Sequence, residues 1–174
     1  MVLAAATDPG DTTTGAIVAA VGAVEALRLA KGPRVSIPGV DSMTGMLWQI
    51  RVSQLLEDGL QLRLVAETNR SGLRVLTPGR EGWPEGLADL GHAAPVALWA
   101  RGNTQLLTSS LSSRVTVTGS RAATGYGEYV AGEFSAALAA EPRIIVTGGA
   151  YGIDAAALRA AVMARPGSTI AVLA

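Results

Sequence analysis

Arg114-Val115-Thr116-Val117-Thr118 runs into Gly119-Ser120-Arg121, and Ile144-Ile145-Val146-Thr147 runs into Gly148-Gly149-Ala150-Tyr151-Gly152-Ile153-Asp154. Each is a β-branched run, a turn of small residues, then a helical stretch. A third β-branched run, Ser168 to Leu173, follows the second helix. The order is strand, helix, strand, helix, strand, with strands read as five to seven residues long and continuously apolar. Strands of that kind are buried on both faces, as in a parallel sheet covered by helices. The predicted class is therefore α/β with a parallel sheet. In such a sheet the turns lie at the carboxyl ends of the strands, where backbone N–H groups and helix N-termini converge on an anion. Two such turns side by side make one phosphate site.

Composition narrows the field. With 49% hydrophobic and 16% charged residues in 174, the chain is expected to be globular rather than disordered. A formal net charge of zero argues against a polybasic binder, so any nucleic-acid site must be local. Lys31 is the only lysine among 14 cations, and arginine offers a planar fork of donors that fits phosphate. Without cysteine there is no disulfide, zinc–thiolate site or cysteine nucleophile. No metal and no cofactor is expected. The start lacks a basic region ahead of its apolar residues, and the apolar stretch Ala16 to Ala30 carries Glu25 and Arg28 and is short of the ~20 residues that span a bilayer. The expectation is a soluble, cytoplasmic protein with no membrane partner.

Further upstream the chain reads as helical. Asp11 or one of Thr12 to Thr14 caps a helix presenting Ile17, Val18, Val21, Val24, Ala26, Leu27 and Leu29, which Gly32-Pro33 ends. A second helix follows Pro38-Gly39 with Asp41 or Ser42 as cap and Met43, Leu47, Ile50, Leu55 and Leu56 as its apolar face. Gln61 to Glu67 fits helix or strand. The polar stretch Thr68 to Gly72 predicts a boundary, giving a helical domain over 1–70 and a second domain over 71–174. Leu73 to Thr77 and Pro95 to Ala100 read as short strands, with a turn at Trp83-Pro84 and a helical turn over Leu87 to Leu90 between them.

Gly119-Ser120-Arg121 sets a hydroxyl, a guanidinium and open amides at a strand end, fit for phosphate or equally for a plain strand-to-helix turn. The second turn is more specific: Gly148, Gly149 and Gly152 leave its amides sterically open, while Asp154 can cap or orient it. No GxGxxG follows a strand and no lysine follows a glycine loop, which disfavours a nicotinamide-dependent enzyme and a Walker-type NTPase. Tyr151, flanked by small residues, is read as exposed and able to stack on a base, with Tyr126 and Tyr129 in the helix after the first turn. Tyr129 is read as core. Arg159 and Arg165 are read as solvated helix charges, and His92, without an evident partner, as an ordinary loop residue. Trp48 is assigned to the helical core; Trp83 and Trp99 are expected to dock the connecting segment on the sheet.

Trp83-Pro84 with Leu87, Pro95 to Gly102 reading Pro-Val-Ala-Leu-Trp-Ala-Arg-Gly, Val115 to Arg121, Thr147 to Asp154 and Thr169 to Leu173 stand in the order and spacing of the DprA/Smf family of DNA-processing proteins. The chain resembles that family over residues 73–174, and more loosely in its helical N-terminal region. The resemblance implies an extended Rossmann-like domain, here incomplete at its C-terminal side, preceded by a small helical (SAM-like) domain. It implies a non-catalytic recombination mediator that binds single-stranded DNA and helps load the recombinase RecA in natural transformation, with a homodimer possible in the full-length protein. On its pattern Gly119, Ser120 and Arg121 hold backbone phosphate, and Gly148, Gly149, Ala150, Tyr151, Gly152 and Asp154 form the other wall. Family members often carry Lys or Arg where Tyr151 stands and His where Leu158 stands, and they continue beyond residue 174. A truncated form with a partial pocket and weak DNA binding is therefore expected. The alternatives are a phosphoribohydrolase-like nucleotide enzyme, whose Pro-Gly-Gly-x-Gly-Thr-x-x-Glu segment is absent from the sequence, and a non-functional remnant.

Overall fold

The computed structural model describes residues 1–33 and 35–173. They form two compact units, Met1–Gly102 and Asn103–Ala174. The first contains helices α1 (Val2–Ala5), α2 (Thr12–Val21), α3 (Ala23–Lys31), α4 (Ser42–Leu55) and α5 (Leu60–Arg70), then strands β1 (Arg74–Leu76) and β2 (Leu98–Ala100). Asp11 caps α2 by accepting from the Thr13 N–H, and Asp41 caps α4 by accepting from those of Met43 and Thr44. Ile17, Ala26, Ile37, Trp48 and Val52 are buried together, and the Trp48 indole donates to the Thr14 hydroxyl at 2.8 Å.

Two sequence expectations fail here for definable reasons. The helix expected to run on to Gly32 is broken at Gly22, whose positive φ of 79° turns α3 by 111° from α2. On α4 the buried positions are Gly45, Trp48, Gln49 and Val52, leaving Met43, Leu47 and Leu55 exposed. Gln49 holds an interior place because its amide donates to the carbonyls of Leu29 (2.7 Å), Gly32 (3.1 Å) and Pro33 (3.1 Å), which satisfies the end of α3. The segment Gln61 to Glu67, open between helix and strand, is helical.

β1 and β2 pair antiparallel, with Val75 opposite Trp99. The Trp99 indole donates to the Thr68 hydroxyl of α5 at 3.2 Å, so this strand pair packs with the helices. The compact units divide at Gly102/Asn103. Trp83 and Trp99 both lie in the first unit, Trp99 within β2.

The second unit is β3 (Arg114–Thr116), α6 (Gly125–Ala140), β4 (Ile144–Thr147), α7 (Ile153–Ala164) and β5 (Thr169–Ala171). Its strands are parallel in the order β3-β4-β5, with Val115 opposite Ile145 and Val146 opposite Ile170. This is the α/β, Rossmann-like arrangement expected, though the strands are three or four residues long. Single bonds extend the pairing toward the turns, Val117 N–H to Val146 O at 2.9 Å and Val172 N–H to Thr147 O at 2.8 Å. Only the central β4 is largely buried. Ile145 lies at the centre of the core with Ala139, Ala161, Val115, Val117 and Leu138. Along α6 the buried residues Ala131, Ser135 and Ala139 are small, which lets α7 approach closely through Ala157 and Ala161.

Among the described residues no single helix is long and apolar enough to cross a membrane. Ile145→Ala is expected to cost the second unit about 2–5 kcal/mol, because a fully buried side chain is removed from a core too tightly packed to collapse around the gap. A urea titration followed by circular dichroism checks this; an unchanged midpoint would contradict Ile145's central place.

Candidate nucleic-acid interface

Because β3 and β4 are parallel neighbours, the turns leaving them start side by side. Asp154, in the first turn of α7, joins them. Its side chain is buried (3% exposed) and accepts from the Gly119 N–H of the other turn at 3.2 Å. Burial pushes its carboxyl pKa up, but hydrogen bonds from the Thr118 hydroxyl, the Gly119 and Ala150 N–H groups and the Thr147 hydroxyl outweigh it and hold the pKa below the ordinary value. α7 is preceded by Gly152 and has no side-chain cap, so Asp154 orients the turns rather than capping its own helix.

The glycines mark where the two turns touch. Gly152, at φ 74°, lies against the carbonyls of Ser120 and Arg121, and a Cβ there would come within 2.7 Å of Arg121 O. Beside this contact the Ile153 N–H donates to Ser120 O at 3.2 Å. A Cβ at Gly119 would meet Ile153 Cγ1 at 2.9 Å, and one at Gly148 would meet Asp154 Oδ2 at 2.8 Å. The two turns are thus one corner.

Of the residues singled out in the sequence, Gly119, Ser120, Arg121, Gly148, Gly149 and Tyr151 face solvent at this corner, and Ala150 is half-buried. Gly152 and Asp154 are interior and hold the shape. Arg121, like the exposed Arg159 of α7, makes no hydrogen bond or ion pair among the described residues, whereas the other arginines of this unit are committed. Arg114 donates to the carbonyls of Leu107 (2.7 Å) and Ser109 (2.6 Å), Arg143 to that of Ser112 (2.6 Å), and Arg165 to that of Arg143. Tyr151 is 84% exposed. Tyr129, expected in the core, is 63% exposed, because the buried face of α6 is the small-residue face and leaves no room for a ring. His92 lies in the first unit in a 3-10 segment, its backbone carbonyl against Gly15. No cluster of metal-binding side chains occurs among the described residues.

The sequence reading missed Thr118, Thr147 and Ile153. The signal was available: a threonine immediately precedes the first glycine of both turns. Since the folded Asp154 pKa is depressed, its contribution to stability is fully present above the unfolded carboxyl pKa and is lost as pH falls through the folded one. Wild type is therefore expected to exceed Asp154→Asn in stability most at neutral pH, with the gap narrowing in acid. Urea midpoints across a pH series check this; a gap that is constant or widens in acid would contradict it.

Two curated proteins of Mycobacterium tuberculosis, from strains CDC 1551 / Oshkosh and ATCC 25618 / H37Rv, each named "Putative DNA processing protein DprA", are 42% identical to the chain over 117 residues. The match covers 60% of this chain and 29% of each relative, so the chain spans less than a third of their length. The family model for DNA recombination-mediator protein A matches residues 74–174, which includes β1, β2 and the whole parallel sheet with both of its turns. By that match the chain belongs to the DNA recombination-mediator protein A family.

Proposed function

We propose that the chain binds single-stranded DNA by its backbone phosphates and acts as a recombination mediator, presenting the strand to a RecA-type recombinase without chemical turnover. The observation that carries this reading is the fused corner: two glycine turns at neighbouring parallel strand ends, locked together by Asp154, with an uncommitted arginine at their lip. Gly119 and Gly148 let a phosphate approach the backbone, Ser120 supplies a hydroxyl, and Arg121 supplies a bidentate cation. Gly149, Ala150 and Tyr151 form the opposite wall, while Gly152 and Asp154 keep the two walls at a fixed spacing. Membership in a recombination-mediator family supports the reading.

The test is fluorescence anisotropy with labelled oligo-dT across a salt series. Wild type is expected to bind saturably and to weaken with salt. Arg121→Ala should weaken binding about tenfold and flatten the log–log salt slope by about one, the change expected on losing one phosphate contact. A chain shown to be folded that binds no oligo-dT would overturn the proposal.

A further inference from the structure

The second unit wears its aromatic residues on the outside. Tyr126, Tyr129, Phe134 and Tyr151 are all exposed, and together they are every tyrosine and the sole phenylalanine of the chain. Aromatic rings each bring about 150–250 Å² of surface that a core would otherwise take up, so placing all of them outside a unit whose buried apolar residues are alanine and isoleucine calls for a use. On α6 the helix-facing side is Ala131, Ser135 and Ala139, and Tyr126 and Tyr129 stand on the opposite side, one turn apart, where they add nothing to the packing. α6 begins at Gly125, and its N-cap Thr124, three residues after Arg121, accepts from the Gly127 N–H at 3.1 Å.

Resting on the phosphate-binding reading above, we infer that Tyr126 and Tyr129 are base-stacking platforms that continue the nucleic-acid track from the Arg121 turn onto α6. A single strand whose phosphate is held at Gly119 to Arg121 has bases that must go somewhere, and unpaired bases stack on exposed aromatic rings irrespective of sequence. The positive end of the α6 dipole favours the adjoining phosphate. Further along the same side stands Glu133, exposed and acidic, which repels a phosphate chain and ends the track after Tyr129. The track thus takes a short run of unpaired nucleotides and rejects duplex, whose base faces are hidden.

The experiment compares wild type, Tyr126→Ala/Tyr129→Ala, Tyr126→Phe/Tyr129→Phe and Arg121→Ala on two probes, oligo-dT and an abasic strand with the same number of phosphates. The tyrosines are exposed, so unchanged circular dichroism is expected in both double variants. The double alanine variant should lose about tenfold or more in oligo-dT affinity with the salt slope unchanged, should bind the abasic strand as wild type does, and should be restored by phenylalanine. If Arg121→Ala weakens oligo-dT binding while the double alanine variant does not, the stacking inference falls and the phosphate corner stands. Equal losses on both probes would likewise overturn stacking. Absence of wild-type binding to either probe would overturn both readings.

Discussion

The buried Asp154 carboxylate is the constraint from which the second unit's geometry follows. A carboxylate out of water is costly unless donors surround it, and here they come from both turns: Thr118 and Gly119 after β3, Thr147 and Ala150 after β4. Meeting that requirement draws the turns together until backbone touches backbone. At that distance Gly119, Gly148 and Gly152 have no space for a Cβ, and Gly152 must also take a positive φ. The same closeness turns Arg121 and Tyr151 outward, since the corner's interior is already full. The exposed face is therefore fixed by the buried one.

On the proposed reading, such a corner would suit an anion because it is organised before any ligand arrives. Gly119 is held by the hydrogen bond from its N–H to Asp154, and Gly148 packs against the same carboxylate, so on the proposed reading little ordering entropy would be lost on binding. The neutral composition fits the same picture. Three of the second unit's five arginines donate to backbone carbonyls that the short strands and turns leave over, which leaves Arg121 and Arg159 with their donors free.

The parallel order and both turns could be read from the sequence because β-branched runs and clustered glycines are local signals that few other arrangements of the chain produce. Strand length could not, because pairing in a three-stranded sheet ends where the neighbours end, and both β3 and β5 have only one partner. The face of α4 was misjudged because Gln49 is interior for a tertiary reason, the free carbonyls at the end of α3, which no periodicity reveals. Gly22 breaks its helix where a helical glycine would often be tolerated. Of the site, the exposed members were legible by type. The position of Asp154 suggests that it caps or orients its turn, but its partner Gly119, 35 residues earlier in the chain, is beyond the reach of local signals.

Tyr129 carries the more general lesson. Apolar residues at helical spacing are normally assigned to the core, and the rule fails in α6 because the core is built on closeness instead of bulk. Small residues at Ala131, Gly132, Ser135 and Ala139 bring two helix backbones together, and a Cβ at Gly132 would stand only 3.6 Å from that of Ala160. Dispersion between many close atoms then replaces the burial of a few large side chains. Once alanine fills an interior, every aromatic residue is excluded from it, and the outer surface of the same helix is the place left for it. An alanine-rich core and an aromatic surface are in this unit one decision seen from two sides.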